Sequence, residues 1–464
     1  MGKASTADSR LFALQRKVRA LPFTARNVAL SALLSVDAGQ SAQQALSLAF
    51  GQSFAEGADK SAASLPTVER NLCSELVYGY LRSEIRIAFV LAQVLPRPQS
   101  LPRPLLHVLG LAVYSLMFQD RIPDHAAVFS AVETTRALYG SALAKVANGA
   151  LRSLQRLADA PLQTDFYLPG GVAVGSVEHL ALFYSLPLWI VGHWCKRYGQ
   201  QAAEQLAQRS FARPWSALRV NACHVLGHDL LSDLLAQGGT PVGQWGAAFA
   251  PGNLPAQACG KALTDLLACG AVSFQSAGSQ LVLEKLGLYD WKRPVWDVCA
   301  GFGGKTVALL EREVAVAFST DRNLQRLTGL PGQCARLLLP CPGTALIDAV
   351  APPCSAWAGH MLIDVPCSGL GVLARRPDIR RRPQQQALEH EQLQGRMLER
   401  LVAMLQPGCE LAYITCTLRT QENEKQIQKV MRNAPGLQLV RQWQTPHEHP
   451  WLEGMFGAVL RKQT

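Results

Sequence analysis

Beyond Pro294 the chain alternates short, almost continuously apolar runs with amphipathic stretches, and this alternation restricts its C-terminal part to a doubly wound α/β fold. The pattern predicts strands over 295–299, 314–319, 361–364 and 410–414, with helices over 304–311 and around 388–405. In such folds ligands bind outside the carboxyl ends of the strands. Three segments with chemical potential fall at those ends: Cys299-Ala300-Gly301-Phe302-Gly303-Gly304-Lys305-Thr306, Asp364-Val365-Pro366-Cys367-Ser368-Gly369 and Ile414-Thr415-Cys416-Thr417. A strand that runs through a glycine turn into a helix lets backbone N–H groups approach a ligand closely. The two cysteines supply soft nucleophiles on the same edge of the sheet. Together the three segments point to a nucleophilic enzyme with a nucleotide-like cofactor.

The glycine loop is not a phosphate cradle. A P-loop needs a glycine five residues before Gly304, where this chain has Cys299, and Lys305-Thr306 replaces the end of a dinucleotide G-x-G-x-x-G. A phosphate-free donor, S-adenosylmethionine, remains: its loop need only admit the backbone to the amino-acid and ribose parts. Asp321, at the end of the following strand, is placed to accept from both ribose hydroxyls. Alone it reads equally as a cap for the helix from Asn323 onward. Sixteen residues after Lys305, it reads as a ligand contact.

The formal net charge of +11 and pI ≈ 9.2 favour a polyanionic partner. Arg10, Arg16, Lys17 and Arg19 cluster near the start, and Arg375, Arg376, Arg380, Arg381 and Arg382 follow the Pro-Cys-Ser segment, so a nucleic acid is the expected partner. The twelve cysteines form no metal knuckle: Cys334, Cys341, Cys354 and Cys367 are separated by six, twelve and twelve residues, without a C-x-x-C pair. Dispersed cysteines fit a reducing cytoplasm, and no metal is expected. No apolar run of about 18 residues suggests a membrane span. Met1-Gly2-Lys3-Ala4-Ser5-Thr6 lacks a secretory apolar stretch, and its loose match to a myristoylation pattern is too short to carry weight. A cytoplasmic, monomeric protein is expected.

Length suggests two to four domains. The expected division is a basic tail over 1–22, a helical domain over 23–160, a linker and mixed α/β middle segment over 161–285, and the α/β domain over 286–464. In the helical part, Ala25, Val28, Ala29, Ala32 and Leu33 follow helical spacing with Thr24 placed to cap. Leu105, Leu109, Ala112, Val113 and Leu116, then Leu143, Val146, Ala147, Ala150 and Leu151, repeat the stripe. Residues 158–176, with Pro161, Pro169, Gly170 and Gly171, read as a linker, and 217–221 as a strand. Trp189 and Trp194 share a helical face with Ile190 and His193 and read as core rather than as base-stacking residues.

The motifs match a family. Asp297 to Thr306, Asp364 to Gly371 with Arg376-Pro377-Asp378-Ile379, and Tyr413 to Leu418 with Glu422-Asn423-Glu424 resemble the RNA 5-methylcytosine methyltransferases of the Sun/Fmu (RsmB-like) family. The helical part, through Leu76 to Arg82, Arg121 to Ala127 and Asn148 to Arg152, is similar to that family's NusB-like RNA-binding domain. Residues 218–221 and 273–280 resemble its middle segment. The resemblance implies three parts: an all-α NusB-like bundle, a mixed α/β segment and a Rossmann-like methyltransferase domain. It implies S-adenosylmethionine as cofactor and RNA, ribosomal above all, as partner. By the match, Cys416 attacks cytosine carbon 6, Cys367 serves release, and Asp364 faces the ring nitrogen and amino group. Cofactor contacts fall on Cys299, Ala300, Gly301, Phe302, Gly303, Gly304, Lys305, Asp321, Asp348 and Asp364. The chemistry is coherent, because a thiolate added at carbon 6 makes an enamine whose carbon 5 can take a methyl group.

Pro353-Cys354-Ser355 repeats the Pro-Cys-Ser letters without the preceding strand and Asp, so Cys354 reads as loop. The chain departs from the family's usual Cys-Ala-Ala-Pro-Gly-Gly-Lys loop at Gly301-Phe302, carries a bulky Trp296, and ends in Glu453-Gly454-Met455-Phe456 where Asp-Gly-Phe-Phe is usual. Two other functions stay open: a non-catalytic RNA-binding or ribosome-assembly factor with weakened cofactor use, and a transfer-RNA cytosine methyltransferase. DNA cytosine methylation is disfavoured, since its nucleophile sits in the Pro-Cys motif whereas this chain keeps Cys416.

Overall fold

A computed structural model describes residues 14–51 and 65–463. Its contacts group the chain into two compact units, one of residues 1–212 with 373–382, the other of 213–372 with 383–464. Residues 1–13, with Arg10 and the Gly2–Thr6 pattern, lie outside the described residues.

The first unit is helical. Helices Ala25–Asp37, Ala42–Phe50, Thr67–Val94, Arg103–Phe118, Asp124–Tyr139 and Ser141–Arg156 follow the apolar stripes, and Thr24 Oγ1 accepts from the Asn27 N–H as the first cap. Ser41 and Gln44 form a reciprocal capping box at the second. Two helices approach unusually closely through paired glycines. A Cβ on Gly79 would lie 2.0 Å from the Tyr114 ring, and one on Gly110 would lie 2.3 Å from the Tyr80 ring. Tyr80, so seated, meets His107 Nδ1 at 3.0 Å, and His107 Nε2 meets Asp37 at 2.8 Å. Val146 does not join the core; it is 40% exposed, while Ala147, Ala150 and Leu151 of the same stripe are buried.

Two expectations change here. Residues 158–176 are not a loose linker: they fold into short 3₁₀ turns, and Tyr167 is fully buried against the helical core. Helices Val177–Phe183, Leu188–Tyr198 and Gln200–Phe211 continue the unit. Trp194 is buried in the second of these, and Trp189 is half-buried. The arginine run after Pro-Cys-Ser is also not a free basic patch. Segment 373–382 packs with the helices, where Arg380 is buried and donates to the carbonyls of Leu373 (2.8 Å), Ser210 (2.7 Å) and Ser185 (3.2 Å). Arg381 pairs with Glu84 at 2.6 Å and Asp37 at 2.7 Å, and Arg376 pairs with the buried Asp378. Burial alone would raise the Asp37 carboxyl, but His107, Arg103 and Arg381 outweigh it and hold that carboxyl well below the usual range.

The second unit holds two principal sheets. In the smaller, β1 (Ser216–Val220), β2 (Thr240–Val242), β3 (Gly246–Phe249) and β6 (Val272–Phe274) pair antiparallel in the order β2-β3-β1-β6. A two-residue ribbon, β4 (Gln257–Ala258) and β5 (Lys261–Ala262), lies between in sequence. Leu218, Val220, Phe249 and Val272 pack there against Leu230, Leu234, Leu263 and Leu266 of two helices.

The larger sheet contains β7 (Val295–Asp297), β8 (Val316–Asp321), β9 (Gly343–Leu346), β10 (His360–Asp364), β11 (Glu410–Thr415), β12 (Leu437–Gln444) and β13 (Phe456–Lys462), ordered β12-β13-β11-β10-β7-β8-β9. The five strands from β7 to β11 run parallel, and β13 and β12 add antiparallel at one edge. Strands β10 and β11 are apolar on both faces because helices cover both. Chain order reverses between β7 and β10, which is the topological switch point where such sheets bind ligands. The turns after these two strands carry the glycine loop and the Pro-Cys segment.

Candidate active site

After β7 the chain turns through Gly301 (φ +57°) and Gly303 (φ +81°) into the helix Gly304–Leu310. Both angles suit glycine alone without strain, and a Cβ on Gly303 would meet Leu330 at 2.3 Å. At the Gly301-Phe302 departure a left-handed glycine makes the turn, and Phe302 is 62% exposed. Trp296 is accommodated, its Nε1–H donating to Thr320 Oγ1 at 2.9 Å.

Asp321 accepts from the Gly301 N–H at 3.0 Å and from the Asn323 N–H at 2.8 Å. The cap of the helix Leu324–Leu327 is Asn323 itself. Asp321 therefore ties the cofactor loop to the end of β8, and a carboxylate with about four acceptor sites keeps capacity for ribose hydroxyls. Asp348, beyond β9, is exposed and accepts from the Val350 N–H at 2.9 Å. The Cys299 thiol is pushed well up by burial, with Asp297, Asp321, Asp364 and Asp348 adding to it. With no atom nearer than 4.0 Å to a Cβ placed on Gly301 or Gly304 and a carboxylate beyond each of two neighbouring strands, the cradle fits S-adenosylmethionine. Asp321→Ala is expected to weaken donor binding by about 1–3 kcal/mol with RNA affinity little changed. Calorimetry with the donor, beside RNA filter binding, checks this, and equal losses would make Asp321 a purely structural tie.

Asp297 is buried at the end of β7 and accepts from Thr306 Oγ1 at 2.6 Å. Burial outweighs that contact, Asp364 and Asp321 add repulsion, and the carboxyl is pushed up to about 7. Since an unfolded Asp titrates near about 4, folding takes up a proton between these values. Its contribution is complete below the unfolded value and is lost as pH rises through 7. Asp297→Asn should flatten that decline, by on the order of 4 kcal/mol between the two ends. Urea melts across the range test it, and parallel curves for the two proteins would contradict it.

The thiols meet where β10 and β11 end side by side. Cys367 Sγ and Cys416 Sγ are 3.1 Å apart, and the Cys416 N–H points at Cys367 Sγ from 3.3 Å. The hydrogen bond from Cys367 lowers the Cys416 thiol against the opposition of burial and Asp364, with Lys305 assisting. The same contact, with burial, pushes Cys367 far up. The pair is thus polarised, Cys416 being the easier of the two thiols to ionise and Cys367 the one that holds its proton. Lys305 Nζ donates to Asp364 Oδ2 at 2.5 Å, and Asp364, with Cys416 and Asp297, raises the Lys305 pKa despite burial. Cys354 lies in a loop, as expected, apart from this pair.

Sequence reasoning missed the residue that orients the cofactor helix. Arg219 of β1 forms a bidentate pair with the buried Glu311 at 2.6 and 2.9 Å, while its Nη1 reaches Gln275 at 2.6 Å and the Gly304 carbonyl at 3.2 Å. One guanidinium therefore holds both ends of the helix Gly304–Leu310. Only the resemblance of residues 218–221 to a family segment signalled it.

Glycine loop, acidic strand ends and switch-point geometry define a Rossmann-like S-adenosylmethionine-dependent methyltransferase. Residues 288–454 match the family model "16S rRNA methyltransferase RsmB/F", and residues 24–156 match the NusB family. The ribosomal RNA small subunit methyltransferase B of Vibrio vulnificus is 30% identical over 89% of this chain and 96% of its own. A probable counterpart from Synechocystis is 30% identical over 85% of this chain and 91% of its own. The structure of NSun6 from Pyrococcus horikoshii with SFG shares the fold, at a TM-score of 0.51 and 18% identity over 60% of this chain and 98% of that chain. The chain belongs to the RsmB/F methyltransferase family, and its chemistry is S-adenosylmethionine-dependent methylation of RNA. Among the described residues no helix is long and apolar enough to cross a membrane.

Proposed function

We propose that this protein methylates carbon 5 of a cytosine in small-subunit ribosomal RNA through a covalent adduct between Cys416 and carbon 6. The observation that carries the reading is the polarised thiol pair, 3.1 Å apart and half-exposed at the switch-point edge. The ribosomal target comes from the relatives, whose names specify that RNA.

Cys416 approaches the ring from its face, which requires a cytosine in a loop or turned out of its stack. As the sulfur–carbon 6 bond forms, electron density moves to carbon 5, and Asp364, paired with Lys305, faces the ring nitrogen and amino group. Bound S-adenosylmethionine supplies an electrophilic methyl group; residues 299–305, Asp321, Asp348 and Asp364 would hold it. Bond formation also removes the Cys416 contact that, with burial, helps to keep Cys367 protonated. Cys367 then releases its proton to solvent and becomes the base that takes the carbon 5 proton while the sulfur–carbon 6 bond breaks. Cys416 leaves as thiolate. The helical unit is assigned to RNA binding, with the half-exposed residues of its surface rather than Arg380 and Arg381 making phosphate contacts.

RNA carrying 5-fluorocytosine tests the covalent step. Fluorine cannot leave carbon 5 as a cation, so the wild-type protein should remain attached to such RNA in a denaturing gel when the donor is present. Turnover of natural RNA without any trapped species would contradict the adduct.

A further inference from the structure

Behind the two thiols lies a layer of buried polar side chains that the chemistry above does not use. Glu422 and Asn423 are neighbours in sequence, and both are fully buried. We propose that this dipeptide is a clamp that sets the spacing of Cys367 and Cys416, so that Glu422 and Asn423 are positioning residues for methyl transfer. The inference rests on the reading of these cysteines as release group and nucleophile.

Each member of the clamp holds one turn. Glu422 Oε2 accepts from the Ser368 N–H at 2.8 Å and from Gln394 Nε2 at 3.0 Å, while the same Gln394 amide donates to the Pro366 carbonyl at 2.9 Å. The peptide groups on both sides of Cys367 are thereby fixed. Asn423 holds the two neighbours of Cys416: its Oδ1 accepts from Thr415 Oγ1 at 2.7 Å and its Nδ2 donates to the Thr417 carbonyl at 2.9 Å. The two turns are joined directly by Ser368 Oγ and Thr417 Oγ1 at 3.0 Å and by the Gly371 N–H donating to the Cys416 carbonyl at 3.0 Å.

Stability alone does not explain a carboxylate here. Burying an ion pair costs desolvation that an apolar residue of the same size would avoid. This chain accepts that cost, pairing Glu422 with Arg419 at 3.1 Å, tying Arg419 to Glu391 at 2.5 Å, and pinning the Glu422 carbonyl with the Tyr413 hydroxyl at 2.6 Å. The result is rigid support placed at the turns that carry the thiols. The Glu422 charge also adds to the Cys416 contact and burial in keeping Cys367 protonated.

The test uses the full chain with Glu422→Ala, Glu422→Gln and Asn423→Ala. Melting temperature and S-adenosylmethionine binding report the fold. Steady-state methyl transfer gives kcat and KM, and alkylation of each cysteine by iodoacetamide across pH, without RNA, reads the thiol pair. The Ala variants should lose about 100-fold in kcat, as misplacement by about 1 Å does, with both KM values near wild type. Alkylation of Cys416 should shift to higher pH as the thiol contact lengthens. Glu422→Gln keeps an acceptor for Ser368 and should recover part of the loss. Folded Ala variants with unchanged kcat and alkylation profiles would overturn the clamp, and so would a loss confined to the KM for RNA. If Glu422→Ala or Asn423→Ala does not fold, Asn423→Ser decides by the same readings. An inactive wild-type protein would count against the proposed function, whereas the alkylation profiles would still decide for or against the clamp.

Discussion

Cys416→Ala is expected to abolish methyl transfer, by roughly 10⁴-fold or more, while S-adenosylmethionine binding stays nearly intact. The thiolate is needed only for attack on the ring, and the donor cradle is built at the ends of β7, β8, β9 and β10, whereas Cys416 follows β11. Removing it has a second, less obvious consequence. The contact with Cys416 is the largest of the influences that push the Cys367 thiol up, so its loss should let Cys367 ionise at lower pH. Iodoacetamide should therefore label Cys367 faster in Cys416→Ala than in wild type at the same pH. Retained turnover would transfer the nucleophile's role elsewhere, and unchanged Cys367 labelling would deny the polarised pair.

Cys367→Ala should produce the opposite phenotype. Attack and methyl transfer proceed, but the base that takes the carbon 5 proton is gone, and general-base contributions of about 10²–10⁴-fold are at stake. The protein should accumulate covalently on natural RNA, seen as a donor-dependent slow band in denaturing gels. Accumulation with Cys416→Ala instead would reverse the two assignments. Without Cys367 the hydrogen bond that lowers Cys416 is also lost, so the rate of adduct formation should rise with pH over a higher range than in wild type.

The legible part of the molecule was the part whose signals are local. Strands β10 and β11 are continuous apolar runs because they are buried on both faces, and their ends placed Cys367 and Cys416 correctly on one sheet edge. Thr24 announced its helix, and Asp321 was found at the end of β8. Strand β12 was missed because it is an edge strand whose residues, Leu437 to Gln444, mix apolar and polar side chains and are largely solvent-facing. That Arg380 and Arg381 of the basic run are occupied within the protein could not be read from the sequence because their partners are remote: Glu84 is 297 residues from Arg381, and Asp37 is 344. Letter counts register charge but not its neutralisation. Arg219 and Glu311, 92 residues apart, were invisible for the same reason. Glu422 and Asn423 were noticed only as family letters; their task becomes visible once the turns they hold are side by side.

The central claim is the identity of the methylated atom. Purified protein incubated with a small-subunit ribosomal RNA transcript and isotopically labelled S-adenosylmethionine, followed by nuclease digestion and mass spectrometry of the nucleosides, measures it directly. The label is predicted to appear in 5-methylcytidine and to vanish with Cys416→Ala. Label in any other nucleoside, or in 5-methylcytidine formed equally well without the Cys416 thiol, would contradict the account.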